Sequence, residues 1–195
     1  MRELAAMLKM RVSNITYYFP TKDDLVYEIS LLLSAANSKV IVAGANLTLH
    51  GFMNMMDQVF HNHVRFRCLL LSFVHVMEQN KRLAASYKKN QKTRNAAIKS
   101  NIDTLNKAGF LKIRDEEEQD FIASALSLIS RFWVSEATVS LRHLNTEQQI
   151  KHYLQLVARL LHPYTTTLGK KEIKEFLHAL EERTSNVDDN PSFKK

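Results

Sequence analysis

The sequence predicts an all-α protein, and three observations lead there. Glycine and proline are scarce, four and three in 195 residues, so turns are few and the segments between them long. In most of those segments apolar residues recur at helical spacing. Nowhere does polar and apolar alternation persist over a useful length, so no strand is expected.

Arg2–Leu8 reads as a short helix with Leu4, Ala5 and Leu8 on one face. Val12–Tyr18 is a second short helix, ended by Pro20. Thr21 opens a long third helix: with Asp24 it forms a capping box, and Asp23 and Asp24 suit the positive end of the dipole. Its apolar stripe runs Leu25, Ile29, Leu32, Leu33, Ala36, Val40. Gly44 and Gly51 bracket a break, and Phe52–Phe66 resumes with Phe52, Met56, Val59, Phe60 and His63 inward. The very apolar CLLLSFVHVM follows. Lys81–Ala108 is a strongly basic helix ended by Gly109 as a left-handed cap, with Phe110 folding back.

Asp115 and the run Glu116 to Glu118 start the next helix, whose stripe is Phe121, Ile122, Ala125, Ile129, Phe132 and Trp133. Asn145 or Thr146 caps another, with Gln149 as box partner. Its residues Ile150, Tyr153, Leu154, Leu156, Val157, Leu160 and Leu161 cover close to half the circumference, more than one core face requires. Pro163 stops it. A last helix runs from about Lys170 to Arg183, before the polar SNVDDNPSFKK. The expected units are a head of short helices over 1–33, a larger helical domain over 34–183, and a polar tail over 184–195.

Composition narrows the function. Hydrophobic residues at 45% and charged residues at 24% are ordinary for a soluble globular chain. The single Cys68 allows no internal disulfide and no thiolate cage, so a cytoplasmic location is expected. MRELAAMLKM lacks the apolar core of a signal peptide, and no uncharged run approaches the roughly 20 residues that span a bilayer. The net charge of +7 favours an anionic partner.

Two short helices in tight sequence, followed by a capped longer one, make a helix-turn-helix pattern. Its second helix enters the major groove, so it needs polar side chains outward and a few apolar ones inward. Ile15 and Phe19, four apart, anchor to Leu4, Leu8 and Leu25. Arg11, Ser13, Asn14, Thr16 and Tyr17 are then expected to face base edges or phosphates. Tyr18 reads either as a DNA contact or as packing. Lys22, at the positive end of the third helix, is a phosphate clamp.

These residues resemble the TetR/AcrR family of bacterial transcriptional regulators. Leu4-Ala5 matches the family's Ile-Ala pair, Ile15 to Phe19 lies where the recognition helix ends, and Pro20 to Leu25 matches the start of the helix after it. LKMRVSNITYYF is similar to the LNxSxxNLTYHF of some members, and LLHPYTTTLG to a Pro-Tyr-Leu-Thr-x-x-Gly segment near their C terminus. Lys9 stands where the turn glycine is usual, Arg11 where the capping serine is usual, and Thr16 replaces a common tyrosine. The resemblance implies a homodimer binding a palindromic operator and released by a small ligand held in the helical domain. It also places one helix ahead of Arg2, so this form is expected to bind DNA weakly, with a mobile N-terminal region.

Phe60, His63, Phe73, Met77, Phe132 and Trp133 are the candidate lining of an apolar ligand cavity, Met and aromatic side chains being able to re-pack. The same residues also read as plain core, and His63 as a satisfied core histidine. The lysines and arginines of Lys81–Ala108 read as a solvated face more readily than as a nucleic-acid stripe. No metal or cofactor is expected, since His61 and His63 stand about 200° apart on a helix. With no G-x-S-x-G, HExxH, P-loop or CxxC, no enzyme is expected. The rival reading is a dimeric helical ligand-binding or protein-interaction module that does not bind DNA.

Overall fold

The structure is a computed structural model that describes residues 1–41 and 46–188, with side chains as far as Thr184. Ten α-helices follow one another among the described residues: α1 (Arg2–Met7), α2 (Val12–Tyr18), α3 (Lys22–Val40), α4 (Leu49–Arg65), α5 (Arg67–Leu71), α6 (Phe73–Gln79), α7 (Lys81–Lys107), α8 (Glu116–Ser140), α9 (Thr146–Leu161) and α10 (Thr167–Asp188). The expected all-α class is what is found. Among the described residues the one β-like feature is a single bridge between Leu111 and Thr165.

Side-chain caps set most of the starts. At α3 the Thr21 hydroxyl accepts from the Asp24 amide at 3.1 Å, and the Asp24 carboxylate accepts from the Thr21 amide at 3.1 Å. Asp115 caps α8 through the Glu118 amide at 2.9 Å. At α9 the cap is Asn145 and the box partner is Gln148, not Gln149. Gln149 instead donates to the carbonyls of Leu141 and Leu144, one residue further round the helix. Gly51 does not mark a break either: its amide donates to the Thr48 cap inside the first turn of α4. Gly44 lies outside the described residues.

Gly109 takes φ 78°, and the amides of Gly109 and Phe110 return to Asn106 and Leu105, which ends α7 as expected. Phe110 is thereby buried, and its carbonyl lies where a Cβ on Gly169 would come within 2.2 Å. Only glycine lets α10 pass that close. After α9 a 3-10 turn at His162–Tyr164 leads into α10, which starts three residues before the expected Lys170 and passes the expected Arg183.

The core forms where α4 meets α8, α9 and α10. Leu49, Phe52, Met53 and Phe60 of α4 interlock there with Ile122 and Leu126 of α8 and with Ile150, Leu154 and Val157 of α9. Phe121, expected inward, is 56% exposed, because the buried face of α8 is Ile122, Ala123, Leu126, Trp133, Val134 and Ala137. The CLLLSFVHVM run breaks into α5 and α6, where Leu69 and Leu70 are buried and Leu71 and Val74 are exposed. α7 packs along α8.

α3 runs unbroken across the expected boundary at 33/34 and carries no fully buried residue. Leu32, placed on its apolar stripe by spacing, is 60% exposed. The spacing identifies a face, but α4 and part of α7, the main elements packed against this helix among the described residues, are too little to cover it.

Candidate DNA-reading face and its coupling to the helical core

The turn between α1 and α2 is closed by a complete left-handed cap. Lys9 has φ 52°, its amide donates to Ala6 O at 3.1 Å, and the Met10 amide donates to Ala5 O at 2.9 Å. A lysine thus holds the conformation glycine adopts at least cost. Lys9→Gly relieves about 1 kcal/mol of local strain, and slower amide hydrogen exchange across α1 and α2 is the expected result. Unchanged or faster exchange refutes it.

Ala5 and Ile15 are the buried residues of this pair, whereas Leu8 is exposed beyond the end of α1 and does not join the anchor. Ile15 inward leaves Ser13, Asn14, Tyr17 and Tyr18 outward, as helical geometry requires. Tyr17 is 80% and Tyr18 73% exposed, their rings edge to face at 5.0 Å. Arg11 is the exposed N-cap residue of α2. Thr16 is partly buried and donates its hydroxyl to the Val12 carbonyl at 3.2 Å, so it presents mainly its methyl group. Lys22 is exposed at the first position of α3, beside the three-residue link from α2. The capping box occupies the Asp24 amide, and the Lys22 ammonium stands at the positive end of the α3 dipole.

Two polar joints fasten α3 to the core, and sequence reading missed both. In the first, buried Asn80 caps α7 through the Leu83 amide at 2.9 Å and donates to the Asp23 carbonyl at 2.8 Å. Beside it Arg82 lies 3.8 Å over the Tyr27 ring and 3.6 Å from Asp24. The helix start at Lys81 was the available signal for Asn80 as a cap; its second bond is non-local.

The second joint involves the proposed ligand residues. Trp133 donates its indole N–H to His63 Nδ1 at 3.1 Å, and His63 Nε2 faces the Asn37 amide at 3.4 Å. An indole N–H only donates, so Nδ1 accepts and the hydrogen of the neutral ring sits on Nε2, where it meets the Asn37 side-chain nitrogen, itself a donor, in a contact and not a hydrogen bond. Burial pushes the His63 pKa down to about 4, which keeps the ring neutral. The hydrogen bond to α3 comes from Asn62, whose side-chain amide donates to Asn37 Oδ1 at 3.2 Å. The Trp133–His63 bond therefore ties α8 to α4, and the Asn62–Asn37 bond ties α4 to α3.

The six candidate lining residues fall into two groups. Phe60, His63 and Trp133 are buried and stacked, with Phe60 and Trp133 centroids 4.9 Å apart. Phe73, Met77 and Phe132 are half-buried, and Phe73 meets Phe132 edge-on at 5.9 Å. His61, two residues from His63, has the opposite chemistry. Its Nδ1 faces the Asp57 backbone carbonyl at 2.9 Å and its Nε2 faces Glu147 at 3.2 Å. Both ring nitrogens meet acceptors, and the Asp57 side chain foremost lifts the pKa to about 9. Among the described residues no group of three or more His, Cys, Asp or Glu is placed to hold a metal ion, and no helix is long and apolar enough to cross a membrane.

Comparison with known proteins places this arrangement. A family model described as TetR, bacterial transcriptional repressor, matches residues 28–173. The crystal structure of a TetR-family transcriptional regulator from Marinobacter aquaeolei VT8 superposes with a TM-score of 0.79 at 19% identity, covering 93% of this chain and 86% of that one. No curated protein matches the sequence. With the family model spanning most of the chain and the fold agreeing, this protein belongs to the TetR family of transcriptional regulators.

Proposed function

We propose that the protein is a repressor that binds a palindromic operator as a homodimer and leaves it when a small molecule binds the helical core. The observation that carries this reading is the outward face of α2, where Ser13, Asn14 and Tyr17 stand clear of the fold beside Lys22. Asn14 suits the paired donor and acceptor of an adenine edge, and Lys22 a phosphate oxygen. Gel-shift titration with DNA from beside the gene tests it. Lys22→Ala should weaken binding to every sequence and lower the salt slope by about one, whereas Asn14→Ala and Tyr17→Ala should cost about 1–3 kcal/mol on the operator and relax sequence choice. Equal loss on operator and random DNA for all three variants overturns the assignment. Absence of any specific DNA binding favours the interaction-module reading.

Dimerisation is supported by apolar side chains left exposed among the described residues. Phe121, Leu128 and Val139 stand along the outer side of α8, the last two 59% and 72% exposed, with Leu156 exposed on neighbouring α9. Exposed apolar side chains on two neighbouring helices suit an isologous interface. The protein is expected to sediment as a dimer at micromolar concentration and Leu128→Glu as a monomer. A monomeric parent rules the interface out.

A ligand releases DNA only by binding the non-DNA spacing of the heads more tightly. The joints at Asn80 and at Asn62–Asn37 are the contacts through which a shift of the core would reach α3. A reducing cytoplasm suits the single exposed Cys68.

A further inference from the structure

Six arginines of the fold lie exposed to water, and three others have carboxylates: Arg183 holds Asp57, Arg114 holds Glu118, and Arg82 lies near Asp24. Arg94 of α7 and Arg131 of α8 do not. Both are partly buried, and neither has a carboxylate within ion-pair distance among the described residues. Instead both face one tyrosine. The Arg94 guanidinium carbon lies 4.1 Å from the centroid of Tyr87, and that of Arg131 lies 5.7 Å from the same centroid and 5.9 Å from Phe132. Phe73 of α6 closes the corner, edge-on to Tyr87 at 5.1 Å. The hydrogen bond found for Arg94 is a long one, 3.5 Å to the Tyr87 carbonyl.

Two like charges withdrawn from water onto one ring repel each other and lose hydration, and cation–π attraction repays only part of that. Burial lowers the Arg94 pKa, and the Arg131 charge adds to the effect. What the pair lacks is an anion. A guanidinium offers a planar fork matched to carboxylate oxygens, and two forks beside an aromatic wall select an acid head on a flat apolar body.

We propose that Arg94 and Arg131 bind the acid group of an amphipathic aromatic or apolar organic acid, whose body lies against Phe73 and Phe132. This rests on the reading of the core as a ligand-binding domain and adds an acid group to the apolar ligand expected from its Met and aromatic residues.

The intact protein is titrated with two fluorescent probes of similar body, anionic 1-anilinonaphthalene-8-sulfonate and neutral N-phenyl-1-naphthylamine. Arg94→Gln/Arg131→Gln should weaken the anionic probe by at least about tenfold and the neutral one by less than about twofold, with Arg94→Lys in between. Lys88→Gln, an exposed charge on the same helix, should change neither. Each variant is checked for an unaltered circular dichroism spectrum, and Arg94→Lys carries the test if the double variant fails to fold. If both probes bind and the double variant leaves both unchanged, the acid site is overturned while the ligand-binding domain stands. Equal loss in Lys88→Gln shows general attraction to a basic helix and also overturns it. If neither probe binds, both the acid site and the ligand reading fall. A change in sedimentation of the double variant shows that the arginines pair across a dimer instead, and refutes the proposal.

Discussion

Replacing Asp57 with alanine should lower the melting temperature by about 6–12 °C, one of the two largest effects expected for a single change in this protein. Asp57 is buried on α4 and holds three helices together. Arg183 of α10 grips it with both terminal nitrogens, at 2.7 and 2.9 Å. His61 approaches it at 3.3 Å and reaches on to Glu147 of α9. Burial alone raises the Asp57 pKa, but hydrogen bonds from His61 and Arg183 more than reverse this, so the group is held as a carboxylate. Removing it strands two cations. Breaking a buried pair costs about 3–5 kcal/mol, and the low end applies because Arg183 is 45% exposed and can turn to water. For a chain of this size each kcal/mol is worth about 2–4 °C. Asp57→Ala/Arg183→Met should regain part of the loss, since no unpaired guanidinium then remains. Thermal melts followed by circular dichroism decide it, and a shift under about 2 °C for Asp57→Ala refutes the three-helix clasp.

Stability should peak near pH 6.5 and fall on both sides, because His63 and His61 titrate in opposite senses. Burial lowers His63 from its ordinary 6.5 to about 4. Below pH 6.5 the unfolded chain takes up a proton that the folded ring refuses, so stability drains away down to about pH 4. The full shift corresponds to about 3 kcal/mol. His61 is raised to about 9, so its contribution is complete below 6.5 and is lost as pH rises through 9. Its ring is 40% exposed, and solvent screening reduces that limb to about 1 kcal/mol. Asp57, whose pKa is depressed, adds to the acid limb at still lower pH as its carboxylate is protonated. Urea titrations at several pH values measure the profile. His63→Gln should flatten the acid limb alone, and His61→Gln the alkaline limb alone. An acid limb that survives His63→Gln at full height would show that the imidazole is not held neutral by burial.

The helix starts show what sequence determined unaided. Thr21 with Asp24, Asp115 with Glu118, and Gly109 with Phe110 act within a single turn, so their spacing along the chain is enough to place them. Ile15 inward with Asn14 and Tyr17 outward follows from the same local geometry, which is why the α2 face was legible. Burial was a harder matter. Leu32 and Phe121 have the spacing of core residues and stand in solvent, since whether a face is covered depends on which helix lies opposite. The two histidines make the point most directly. Helical period separates His61 from His63, yet nothing local tells that one meets Asp57 and Glu147 and is charged, while the other meets Trp133 and Asn37 and is neutral. The Arg94–Arg131 corner and the Asn80 joint likewise bring together side chains from different helices. Local hydrogen bonds and periodicity wrote the helices into the sequence. Desolvation and charge depend on neighbours distant in the chain, and only the packed tertiary structure supplies those.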